Sequence, residues 1–183
     1  MSDAMVNILG VGNTLMGDDG VGPAAVERLA ARGVPAHVRL HDAGLAASDV
    51  LGRLDPDDPL IVIDAVRAGG PAGAVYQADF DALAGEGLPG TAISLHELSV
   101  APALAMEALT GRVFSNVTVF GVEPARVAWG EGLSPAVASA LDRLVDAVLD
   151  HARAVPARRA SPRRSRALPW RSRDRALAGE ESP

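Results

Sequence analysis

Leu60-Ile61-Val62-Ile63 constrains this chain more than any other stretch. The run is too short for a helix and has no polar alternation, so it cannot be a half-exposed strand. A β-branched run of this kind must be buried on both faces, as a central strand of a parallel sheet is when helices cover each side. It delivers Asp64 at its carboxyl end. Val6 to Val11 reads the same way, a short apolar strand stopped by Gly10-Val11-Gly12. A loop with two adjacent carboxylates, Asp18 and Asp19, follows it before Gly22-Pro23 opens a helical pattern.

The remaining segments alternate. Ala25, Val26 and Leu29 share one face of the first helix, and Gly33 can end it. His37 to His41 predicts a second strand with Asp42-Ala43-Gly44 as its exit turn, then a short helix over Ala46 to Leu54. Ala74 to Gln77 predicts a shorter strand, and Asp79 to Gly90 is weakly patterned. Ser94-Leu95-His96-Glu97 is a capping box, predicting a helix to about Thr110. Asn116 to Val122 predicts a further strand. From Ser134-Pro135, the apolar stripe Val137, Leu141, Leu144, Val145 and Val148 predicts a final helix. Strands alternating with helices define an α/β class: a three-layer sandwich on a mostly parallel sheet.

Composition narrows the function. Aromatic residues are only 3%, so the core must be built from Val, Leu, Ile and Ala. The absence of cysteine excludes disulfides, thiolate zinc sites and a cysteine nucleophile. No basic, apolar leader or membrane-length run is seen, which makes the cytoplasm the expected location. Residues 1–152 hold 8 Arg against 20 Asp or Glu, whereas residues 153–183 hold 9 Arg against 3 acids. The acidic body argues against nucleic acid as a partner. The expected organisation is one α/β domain over 1–152 and a disordered arginine-rich tail over 153–183.

In open α/β sheets, sites form outside the carboxyl ends of the strands. Asp19 follows the first strand, Asp64 ends the third, and His96 begins the helix after the next extended segment. Two carboxylates and an imidazole suit a divalent transition metal and leave positions open for another ligand. The field of a helix N-terminus would keep Asp19 ionised and His96 neutral. Taken singly, an Asp after a buried strand is more often a cap, and a His in a capping box a solvated helix residue. No G-x-S-x-G elbow occurs, and His96-Glu97 lacks the second His of H-E-x-x-H. Gly10 and Gly12 hint at dinucleotide binding, with Asp42 as the ribose-binding acid. Leu15, however, stands where a third glycine belongs, and the loop carboxylates would repel a pyrophosphate.

The stretch from Gly10 to Gly22 resembles the signature of the nickel–iron hydrogenase maturation endopeptidases. Leu60 to Val66 resembles their second motif and Ser94 to Leu98 their third. The resemblance implies a twisted five-stranded sheet between helices. It implies an endopeptidase that removes the C-terminal extension of the hydrogenase large-subunit precursor after nickel insertion. By motif position, Asp19, Asp64 and His96 would contact the metal, either as the catalytic residues through it or only to test that the substrate carries nickel, with cleavage arising elsewhere in the complex. The nickel is carried by the substrate, with cadmium or zinc as surrogates. Asp42 and Gly44 match a substrate-binding motif in which Leu45 replaces a hydroxyl residue. A monomer that binds no membrane is expected. The alternatives are a non-catalytic nickel-binding chaperone and a nucleotide-binding α/β module.

Overall fold

Both apolar runs lie at the centre of the sheet. In the computed structural model, residues 5–83 and 98–155 are described. Five strands, β1 (Val6–Val11), β2 (Val38–Gly44), β3 (Leu60–Ala65), β4 (Val75–Asp79) and β5 (Val117–Val122), form one sheet in the order β2-β1-β3-β5-β4. All neighbouring pairs are parallel except β4 with β5, which places an antiparallel strand on one edge. The chain moves outward from β1 to β2 and then returns to the other side of β1 as β3. That reversal opens a crevice at the carboxyl ends of β1 and β3.

The alternation of strand side chains sorts the core into two layers. Val6, Ile8, Ile61, Ile63 and Phe120 pack against α1 (Val21–Arg32) and α5 (Pro135–Ala154). Leu9, Val11, Leu60, Val62, Val117 and Val119 face the other way, toward α2 (Ala47–Leu51) and α4 (Ala101–Leu109). A short helix α3 (Phe80–Leu83) follows β4, where the sequence shows only weak patterning. The five predicted stripe residues of α5 are all buried. Ser134 caps that helix by accepting a hydrogen bond from the Val137 N–H.

Several boundaries differ from the sequence expectation. Asp42-Ala43-Gly44 is not an exit turn but the last part of β2, with Gly10 opposite Asp42 and Val11 opposite Gly44. Ala43 is therefore an extra residue, a bulge that keeps the ladder going. The Ser94 to Glu97 capping box lies outside the described residues. The helix expected to run from it to Thr110 begins only at Ala101, because Ser99 and Val100 form a turn and Pro102 occupies the first turn of α4. α2 stops at Leu51, where Arg112 donates to the carbonyls of Leu51 and Leu54. α5 runs to Ala154 and Val155 packs against its layer, while the rest of the expected tail lies outside the described residues.

Two glycines set the distance between α1 and the sheet. A Cβ on Gly10 would overlap the Gly22 carbonyl oxygen and lie 2.7 Å from Val26 Cγ2. A Cβ on Gly22 would strike the carbonyl oxygens of Val11 and Ile63. The backbone of α1 thus rests directly on the ends of β1 and β3. Gly10→Ala should destabilise the protein by about 1–3 kcal/mol, an overpacking cost, as measured by urea unfolding.

Candidate functional site

The β1–α1 loop carries the site. Gly12 has φ of +126°, and a Cβ there would collide with the backbone carbonyl oxygen of Asp19. Only glycine lets the chain fold back at this point. Asp18, Asp19 and Gly20 then form one 3-10 turn that leads into α1.

The two adjacent carboxylates part company here. Asp18 is 1% exposed and accepts three backbone N–H donors, from Ala125 at 2.8 Å, Arg126 at 3.0 Å and Ser134 at 2.6 Å. Burial works to raise its pKa, but the hydrogen bonds from Ser134, Arg126 and Ala125 outweigh it and leave the carboxyl below its ordinary value. Asp19 is half-buried and accepts one N–H, from Asn13 at 2.7 Å, onto Oδ2. Asp18 is a fastening between loops, whereas Asp19 keeps a single backbone partner and part of its surface in solvent.

Asp64 is fully buried at the end of β3. Ser99 holds it twice, by its N–H to Oδ2 at 2.7 Å and its hydroxyl to Oδ1 at 3.2 Å. Burial pushes the Asp64 carboxyl up to about 7, the Ser99 hydrogen bonds oppose this, and the negative charge of Asp19 adds to the upward push. The structure therefore brings Asp19 and Asp64 together across the crevice between β1 and β3. A buried carboxyl that titrates near neutrality can exchange a proton with a reacting group or give it up to an arriving cation.

The other predicted residues are placed less completely. His96 lies outside the described residues. Among the described residues, no three His, Cys, Asp or Glu side chains form a group that could hold a metal ion. Asp42 is exposed, and its Oδ1 accepts from the Gly44 N–H at 3.2 Å. The Gly44 carbonyl accepts from the Gly12 N–H at 3.0 Å, which ties this end of β2 to the acidic loop. The dinucleotide reading loses its footing, since α1 starts only at Val21 and an acidic turn fills the place of a phosphate cradle. A cleft of about 410 Å³ lined by Asn7, Arg39 and His41 sits toward the amino ends of β1 and β2, away from the acids.

Two residues escape the sequence reading. Ser99, which orients Asp64, carries no motif of its own. Glu123 is buried just past β5 and accepts from the N–H groups of Ala68 and Gly70 and from the Tyr76 hydroxyl, at 2.8, 3.3 and 3.0 Å. It holds the β3–β4 loop beside the site. An acid directly after a buried strand was a signal available for Glu123, as it was for Asp64.

Fold and crevice define a class: a single-sheet α/β protein with paired acids at its switch point. A family profile described as hydrogenase maturation protease matches residues 23–151. The hydrogenase expression/formation protein HupD of Rhodobacter capsulatus is 37% identical over 140 residues, covering 75% of this chain and 66% of that protein. The chain thus spans just under two thirds of that relative's length. The hydrogenase 2 maturation protease of Escherichia coli K12 is 32% identical over 145 residues, covering 78% of this chain and 87% of that protein. Among solved structures, the hydrogenase maturating endopeptidase HybD from E. coli superposes with a TM-score of 0.68 at 30% identity, covering 82% of this chain and 93% of that one. The HybD protease from Thermococcus kodakarensis shares the fold with a TM-score of 0.64 at 24% identity, covering 81% and 99% of the two chains. The chain belongs to the hydrogenase maturation protease family.

Asp18 and Asp64 impose opposite pH slopes on stability. The depressed Asp18 stabilises the fold above its unfolded value of 3.8, and that contribution is lost as pH falls through its lower folded value. The raised Asp64 favours the fold below 3.8, and that contribution is lost as pH rises through about 7. Asp64→Asn should therefore be more stable than wild type at pH 8, with the difference shrinking toward pH 4. Asp18→Asn places an amide NH₂ among three N–H donors and should cost about 1–3 kcal/mol at neutral pH. Urea unfolding of both variants across this range checks the signs.

Proposed function

We propose that this protein is an endopeptidase that removes the C-terminal extension of a nickel–iron hydrogenase large-subunit precursor once nickel is in place. Membership of the maturation protease family, together with the Asp19–Asp64 pair in the switch-point crevice, carries the reading. Asp19, Asp64 and His96 are proposed to contact the nickel that the substrate brings. An arriving divalent cation would draw the proton from Asp64 and supply the charge that two neighbouring carboxylates need. The same cation would polarise a scissile carbonyl or a bound water as a Lewis acid, with Asp64 available to take up the proton. Asp42 and the Gly44 segment, hydrogen-bonded to the acidic loop, are proposed to touch the substrate chain. The protein is proposed to act as a cytoplasmic monomer; among the described residues, no helix is long and apolar enough to cross a membrane.

Asp19→Asn, Asp64→Asn and His96→Gln should each fold and each abolish processing of nickel-loaded precursor, read by the mass of the product. None should bind cadmium or zinc as surrogates. If all three variants cleave at wild-type rates, the proposed site does not exist. Nickel binding by the wild type with no change in precursor mass would favour the chaperone reading instead.

A further inference from the structure

Three large apolar side chains stand in solvent on loops around the crevice. Leu15 is 45% exposed, Leu45 78% and Trp129 76%. The chain has only two tryptophans and 3% aromatic residues, and one of those tryptophans is spent on the surface here. Scattered apolar residues on a surface are ordinary, but these three are not scattered. Leu45 directly follows Gly44, whose carbonyl accepts from Gly12. Leu15 lies on the same loop as Gly12, and its carbonyl accepts from the Gly130 N–H at 3.0 Å. Gly130 follows Trp129, and its own carbonyl accepts from the Gly17 N–H at 2.8 Å. Gly17 also bridges to Val127, and Asp18 holds the N–H groups of Ala125 and Arg126. The loops after β2, β1 and β5 are therefore stitched into one arc over the crevice that holds Asp19 and Asp64.

We propose that Leu15, Leu45 and Trp129 form a pre-organised docking rim for the apolar polypeptide surface around the metal-bearing site of the precursor. This inference rests on the processing role proposed above. Charge complementarity selects the occupant. The rim encloses two carboxylates, so a partner seated on it must bring a cation to the centre. A second copy of this chain would set carboxylates against carboxylates. An anionic lipid surface would meet the same acids and a body with far more acids than arginines. A protein carrying a divalent ion among apolar residues satisfies both parts. Tryptophan is the side chain most enriched where binding energy concentrates, and a rim fixed by backbone hydrogen bonds loses little freedom on docking.

The test uses the full chain with Trp170→Phe, grown with 5-fluorotryptophan so that Trp129 gives the single ¹⁹F resonance. Adding nickel-loaded precursor should shift and broaden that resonance. Trp129→Ala and Leu45→Ser should each raise KM for precursor about tenfold, with the loss falling on KM rather than kcat. Leu109→Ser, on the equally exposed apolar face of α4, should behave as wild type. If the wild type cleaves but the resonance stays fixed and the rim variants keep wild-type KM, the rim is not a docking surface. A resonance shift produced by raising the protein's own concentration, or by lipid vesicles without precursor, also overturns the assignment. Failure of the wild type to cleave, with the shift intact, overturns the processing role and supports the rim.

Discussion

The Asp18 carboxylate is the interaction on which the site's architecture depends. A buried charge is costly unless hydrogen bonds replace its water, and three backbone N–H groups do so here. Those donors come from the β5–α5 connection, more than a hundred residues away in sequence. The carboxylate therefore fixes that connection to the β1–α1 loop, and the Gly17–Val127 and Met16–Gly130 bridges extend the seam. Asp19, next in the same 3-10 turn, inherits this fastening.

Asp18, Asp19 and Asp64 show how environment divides roles among like side chains. Three N–H donors hold Asp18 ionised and inert. Asp19 keeps solvent access and a single backbone partner. Asp64, buried with Ser99 and facing the charge of Asp19, is held near neutrality in its titration. Glu123 also takes three donors, two backbone N–H groups and the Tyr76 hydroxyl, and these anchor the β3–β4 loop beside the site. Asp18 and Glu123, with three donors each, are thus distinct from Asp19 and Asp64 at the ends of β1 and β3.

Much of the scaffold was legible from periodicity and punctuation. Leu60 to Ile63 and Val6 to Val11 read as doubly buried strands because no polar residue interrupts them. The stripe from Val137 to Val148 reads as a helix because its spacing admits little else. The continuation of β2 through Gly44 was not legible, because Asp42-Ala43-Gly44 has the composition of a turn and only pairing with β1 keeps it extended. The sequence offers two start signals ahead of α4, the Ser94–Glu97 capping box, which lies outside the described residues, and Pro102, which sits in the first turn of α4 itself. Local preference cannot choose between two adequate start signals.

By itself the sequence determined the α/β class, the central strands, and the delivery of Asp19 and Asp64 to the ends of two of them. Those features follow from short-range patterns of apolar and glycine residues. Only the tertiary structure decided that Asp18 takes three backbone donors while Asp19 takes one, that Ser99 orients Asp64, and that the loops bearing Leu15, Leu45 and Trp129 are hydrogen-bonded together. Each of these depends on backbone donors and loops brought from distant parts of the chain. Adjacent residues of identical type carry no local mark of which one those partners will reach.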